Sequence, residues 1–274
     1  MKVTVSSVLA AIFLATAPAL AAVDFTGVNE AGADFGSVGG VYGTNYMYPA
    51  DTSLDYFTKN KANIVRLPFL WERLQPTLNA TFDATELSRL KAIVKYATGV
   101  KGLHVLLDPH NYARYNGQLI GSSAVSYGNF YYFWKELAGE FKHNTKIIFG
   151  LMNEPNSMPT EQVLAAMQAG LDGVRAAGAK QLALVPGNAW TGAHSWAQNW
   201  YGTANSVVML NIRDPAHNYA YDMHQYLDDG SGTSAECAST TVGSEMLVAA
   251  TQWLRQNNKK AFLSEFGFGA NPTW

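Results

Sequence analysis

Ile147–Ile148–Phe149–Gly150–Leu151–Met152–Asn153–Glu154–Pro155–Asn156 decides how the rest of the chain is read. Five apolar side chains and one glycine stop abruptly at an amide, a carboxylate and a proline. Such a run reads as a strand buried on both faces, the kind a parallel sheet needs. Its polar residues fall at the strand's carboxyl end, where α/β enzymes collect their chemistry. Pro155 has no N–H and disfavours the α region for the residue before it, so Glu154 is expected in an extended or turn conformation. Ala261–Phe262–Leu263–Ser264–Glu265–Phe266–Gly267 repeats the design, a short apolar strand ending in a carboxylate.

Outward from this pair, apolar strand candidates begin near Asp24, Ile64, His104, Ile147, Leu182, Tyr219 and Ala261, at offsets of 40, 40, 43, 35, 37 and 42 residues. Each offset is about one βα unit. Helical stripes lie between them. Asp83–Ala84–Thr85–Glu86 resembles a capping box, and it opens a helix whose apolar face carries Leu87, Leu90, Val94 and Ala97. Phe130, Phe133, Trp134, Leu137 and Phe141 form a second stripe; Val163, Leu164, Met167, Leu171 and Val174 a third; Met246, Ala250, Trp253 and Leu254 a fourth. Stripes at this spacing belong to core. A doubly wound sheet is the competing arrangement, but no Gly-rich phosphate loop follows the first strand. The expected fold is therefore α/β, a (β/α)8 TIM barrel. The eighth strand is due about one unit past the seventh, beyond Trp274, so the barrel is expected to be incomplete.

Composition narrows the class. The chain has 274 residues, 48% hydrophobic and 15% charged, enough for one large core. A net charge of −2 argues against nucleic acid or an anionic membrane as partner. Aromatic residues make up 12%, seven of them Trp, and aromatic faces suit sugar rings. Met1–Lys2, the apolar run Val8–Ala15 and Ala19–Leu20–Ala21 have the form of a secretory leader with its cleavage site. Residues 1–21 are read as that signal peptide and 22–274 as the barrel, and the protein is expected to be secreted and extracellular. Cys237 is the single cysteine, unpaired within the chain. Asn79–Ala80–Thr81 is a glycosylation sequon in a polar loop.

Each strand deposits polar residues just past its end: Arg66 in the second, Asp108–Pro109–His110–Asn111–Tyr112 in the third, Asn153–Glu154 in the fourth, His224 and Tyr226 in the sixth, Glu265 in the seventh. In a barrel these converge on one mouth. No HxH or HExxH spacing is present, and Arg66 in the same mouth disfavours a cation, so no metal or other cofactor is expected. A Gly-x-Ser-x-Gly elbow is absent as well. Two carboxylates with hydrogen-bonding support fit glycoside hydrolysis best.

At these residues the chain resembles the glycoside hydrolase family 5 endoglucanases of fungal type. The likeness runs in order through Gly27–Val28–Asn29–Glu30–Ala31–Gly32–Ala33–Asp34–Phe35–Gly36, Val65–Arg66–Leu67–Pro68, Leu107–Asp108–Pro109–His110–Asn111–Tyr112 and Asn153–Glu154–Pro155. It continues through Trp190–Thr191–Gly192–Ala193, Met223–His224–Gln225–Tyr226–Leu227–Asp228 and Ser264–Glu265–Phe266–Gly267. The resemblance implies Glu154 as acid/base and Glu265 as nucleophile of a retaining endo-β-1,4-glucanase. It implies that Arg66 and Tyr226 keep Glu265 ionised and aligned, and that Asn153 binds the sugar 2-hydroxyl. His224 would set the protonation of Glu154, and His110 would bind sugar beside the cleavage point. Trp190 would stack on sugar, with Trp196 a second candidate, while Asn29, Asn111 and Tyr112 would line the cleft. The family's tryptophan after the eighth strand has no counterpart here, because Trp274 is only nine residues past Glu265.

The expected partner is β-1,4-glucan, with a monomer expected for a full-length chain. The alternatives are another β-1,4-glycanase such as a mannanase, since one barrel mouth can be re-lined for another sugar, or a non-catalytic glucan-binding remnant.

Overall fold

The computed structural model describes residues 23–269; the segment expected to be a leader, residues 1–21, and Trp274 lie outside the described residues. Seven parallel strands form one sheet in strict sequence order. They are β1 Gly27–Asn29, β2 Ile64–Phe69, β3 His104–Pro109, β4 Ile147–Gly150, β5 Ala183–Pro186, β6 Tyr219–Tyr226 and β7 Ala261–Gly267. Sequence order across the sheet is barrel winding, and it removes the doubly wound alternative, whose order reverses at a switch point. The sheet is nearly closed. Asn29 Nδ2 lies 3.4 Å from the carbonyl of Ser264, and the Phe25 and Phe262 rings are 5.5 Å apart.

The crossovers carry the helices α1 Asp51–Lys59, α2 Ala84–Lys95, α3 Tyr127–Phe141, α4 Thr160–Ala176 and α5 Val242–Gln256. Asp83 caps α2 by accepting from the Glu86 N–H at 2.8 Å, as its sequence suggested. The Glu86 carboxylate does not return the bond. It takes the Tyr46 hydroxyl and Arg89 instead, and so ties the β1–α1 loop to α2. Ser126 and Asn129 make a full capping box at α3. The α3 stripe is buried throughout, from Phe130 to Phe141.

Strand alternation sorts the apolar side chains into two cores. Odd-numbered residues of β2 to β4, such as Val65, Leu67, Val105 and Phe149, join the large core under the helices. Ile64, Leu106, Ile148, Leu184 and Ala220 point the other way and plug the barrel's lower lumen. Gly150 belongs to this inner face: a Cβ there would come within 3.0 Å of Leu106 Cδ1 and of the Leu107 carbonyl. The lumen above the plug is polar, and it opens at the carboxyl ends of the strands.

Candidate active site

Arg66 on β2 is the hub of the mouth. Its guanidinium is 4% exposed and donates to Glu265 Oε2 at 2.6 Å, to Asn29 Oδ1 at 3.0 Å and to Asn153 Oδ1 at 2.6 Å. Asp108 on β3 completes the set, with Arg66 Nη2 at 2.9 Å and His110 Nδ1 at 2.8 Å. A buried guanidinium is tolerable only with such partners. Burial works against its charge, but Asp108 and Glu265 more than restore it.

Glu265 receives Arg66 on one oxygen and the Tyr226 hydroxyl on the other, at 2.5 Å. Burial would raise its pKa, but His224, Arg66 and the Tyr226 bond outweigh that and hold it below the ordinary carboxylate value. An ionised, fixed carboxylate with both oxygens engaged is what a nucleophile requires. Burial and the Glu265 bond push the Tyr226 phenol up, so it stays protonated and remains a donor.

Glu154 lies four residues beyond the end of β4. Of the two conformations open to it, the extended one is not used: φ is +42°, in the left-handed region, with its carbonyl taking the Asn156 amide at 3.0 Å. That strained turn swings the carboxylate over the mouth. Its Oε1 is 2.7 Å from His224 Nδ1. On the far side of the same imidazole, Nε2 is 3.0 Å from Ser264 Oγ, which in turn donates to the buried Asp222 carboxylate. With its proton committed to Asp222, Ser264 can only accept from Nε2–H. Nε2 therefore carries a hydrogen, and Nδ1 is the ring atom turned to Glu154.

Asn153 is equally constrained. Its oxygen serves Arg66, so its amide nitrogen faces His110 Nε2 at 3.2 Å and keeps a second hydrogen for a sugar hydroxyl. Asp108 raises the pKa of His110 against the opposing effect of burial.

Two clefts meet at this pair. One, about 810 Å³, is lined by Asn29, Phe35, Arg66, His110, Asn111 and Glu265. The other, about 670 Å³, is lined by Glu154, Trp190, His194, Trp200 and Glu265 among others. Tyr112 and Tyr226 border both. Burial and the two glutamates push the Tyr112 phenol up to about 12. Trp190 is 40% exposed on the second cleft, as a stacking residue must be. Trp196 is not available: it is fully buried against Tyr221 and Trp253, because its loop folds back under the barrel's outer core. That expectation is corrected. Asn111 lines its cleft with most of its amide committed, accepting from the Trp71 N–H and donating to Glu72.

Sequence reasoning gave Asp108 no role and passed over Asp222, although each stands two residues before a named histidine, His110 and His224. It also passed over Ser264, His194 and Trp200, for which spacing carried no signal. Glu154, His224 and Glu265 offer ligand atoms within 4.8 Å of one another, a spacing that could hold a cation. Against that use, Arg66 and Tyr226 already occupy both oxygens of Glu265. Cys237, in the loop after β6, is a half-buried free thiol.

The sequence and the fold are shared with known proteins. The family profile described as Cellulase (glycosyl hydrolase family 5) matches residues 23–273. Endo-beta-1,4-glucanase B of Aspergillus niger is 42% identical over 251 residues, 90% of this chain and 72% of that protein. The crystal structure of the endo-beta-1,4-glucanase Xac0029 from Xanthomonas axonopodis pv. citri superposes with a TM-score of 0.88 at 45% identity, covering 91% of this chain and 80% of its own. A structure of XacCel5A in complex with cellopentaose superposes equally well, with a TM-score of 0.88 at 44% identity over 90% of this chain and 80% of that one.

Proposed function

The chain belongs to the cellulase family, glycosyl hydrolase family 5, and on that footing we propose that it is a secreted endo-β-1,4-glucanase cutting cellulose-type glucans by a retaining double displacement. The observation that carries this reading is the pair Glu154 and Glu265, with carboxylate oxygens within 4.8 Å. Retaining enzymes hold their carboxyl groups about 5–5.5 Å apart, whereas inverting ones need about 6.5–9.5 Å to admit a water. Clefts on both sides of the pair suit cutting within a chain rather than at its end. The leader over residues 1–21 supports export; no described helix is long and apolar enough to cross a membrane.

In the first step Glu265 attacks the anomeric carbon while Glu154 gives its proton to the glycosidic oxygen, and the departing chain leaves with a free hydroxyl. The negative charge of Glu265 is consumed in the ester. In the second step Glu154 takes a proton from water, the water oxygen attacks the same carbon, and Glu265 is released. Asn153 binds the 2-hydroxyl, a contact that strengthens at the transition state. Because the acid must adjoin the leaving oxygen, the Glu154 cleft receives the departing chain and the His110 cleft the sugars that form the ester.

The test is reducing-end release from carboxymethylcellulose against β-mannan, with NMR of the first-formed anomer. Release from the cellulose derivative with the β-anomer first is expected. Preference for mannan would move the substrate, and an α-anomer first would end the retaining assignment. Binding of cellopentaose without release from either polymer would leave a glucan-binding protein.

A further inference from the structure

His194 stands in the Glu154 cleft with no part in the two chemical steps, yet its imidazole is held on three sides. Gln225 holds the first. Its side-chain oxygen accepts from the His194 main-chain N–H at 3.0 Å, and its nitrogen donates to the Tyr226 carbonyl at 2.9 Å. Reversing that amide would set N–H against N–H and oxygen against oxygen, so the two backbone groups fix its orientation. The same oxygen lies 3.2 Å from His194 Nδ1. Nδ1 must therefore carry the hydrogen, and in the neutral ring Nε2 is left as a bare acceptor.

Gly230 closes one face of the ring. A Cβ there would stand 2.8 Å from Cε1 and 3.1 Å from Nε2, and its φ of +97° suits glycine. Asp228 keeps that loop in place by accepting from the N–H groups of Gly230, Gly232, Thr233 and Ser234 at 2.9 to 3.1 Å. Trp200 lies edge-on at 5.6 Å and is half exposed. Among the described residues Nε2 has no hydrogen-bond partner.

A fixed acceptor beside exposed Trp190 and Trp200 matches a pyranose, which offers an apolar face and a rim of hydroxyl donors. Resting on the glucanase reading, we propose that His194 is a substrate-binding residue of the leaving-group side, its Nε2 accepting a hydrogen bond from a hydroxyl of the departing sugar. Binding there favours those registers in which the leaving side of the cleft is filled, and so decides which bond of a short oligosaccharide is cut.

The experiment compares His194→Ala and His194→Gln with the parent on cellopentaose and on 4-nitrophenyl β-cellobioside, whose leaving group carries no sugar. Loss of one hydrogen bond is worth about fivefold to tenfold. His194→Ala should lower the ratio of kcat/KM on cellopentaose to that on the aryl glycoside by that factor, mainly through KM. It should also move the preferred cleavage position in cellopentaose hydrolysed in ¹⁸O-water. His194→Gln, which can again present an acceptor, should recover part of the ratio. An unchanged ratio in His194→Ala, whether both activities fall together or neither falls, would overturn the assignment while the glucanase reading stands. A parent enzyme that hydrolyses neither compound would overturn both.

Discussion

At Glu154 one residue combines a positive φ, a strand end and a bond to His224, so its chemistry depends on geometry that a single substitution leaves intact. Glu154→Gln keeps the shape and removes the proton. It should cost about 10²–10⁴-fold in kcat/KM on cellopentaose. The loss should be much smaller on 2,4-dinitrophenyl β-cellobioside, whose leaving group departs without protonation, while Glu265→Gln should abolish turnover of both. Steady-state rates on the two substrates check this, and equal losses for Glu154→Gln would remove it from the acid role. The same mouth sets a pH dependence. Glu265 and Asp108 are held below the ordinary carboxylate value by their charged neighbours. Their contribution to stability is present above the unfolded carboxylate pKa, about 4, and is lost as pH falls through the lower folded value. His110 is raised, so its contribution is full below about 6.5 and is lost as pH rises through the folded value. Urea midpoints from pH 3 to 9 should fall at both ends. Glu265→Gln should flatten the acid limb alone and His110→Asn the alkaline limb.

β7 shows what an element adds. In a regular strand Ser264 and Glu265 would face opposite sides, yet both point into the mouth, one at His224 and Asp222, the other at Arg66 and Tyr226. The register explains it: Met223 pairs with Leu263 and His224 with Glu265, leaving Ser264 as the extra residue of a bulge. Deleting Ser264 should restore alternation and drop Glu265 about 3.3 Å into the place of Ser264. A misplacement of even 1 Å can cost about 100-fold, so the deletion should lose more than about 100-fold on 2,4-dinitrophenyl β-cellobioside. Ser264→Ala keeps the bulge and should lose less than about tenfold, a single hydrogen bond. Circular dichroism melts would confirm that both variants fold. Alternation was legible where it is regular, as in His224 and Tyr226 on β6. The bulge was not, because nothing in Leu263–Ser264–Glu265 says which residue goes unpaired.

Over the whole molecule, burial and charge are stacked along the barrel axis. An apolar plug from Ile64 to Ala220 closes the lower lumen, and above it Arg66, Asp108, Asp222 and His224 form a buried polar layer that carries the half-buried Glu265. The apolar runs and their offsets determined, from sequence alone, where each strand begins to within three residues, that the strands are parallel, and which ends carry polar groups. That much is local, since strand length, helical periodicity and the limits on a residue before proline act within a few residues. Which of those polar groups meet was decided only by the tertiary structure. Glu154 and Glu265 are 111 residues apart in the chain, and their facing depends on the register of every strand between them. Trp196 and His194 make the point within one loop: two residues apart, they look alike as candidates for a sugar site. The fold buries Trp196 against Tyr221 and Trp253 and leaves His194 in the cleft, because burial is set by the partners packed around a side chain, and those partners come from β6, α5 and the Asp228 loop, all distant in sequence.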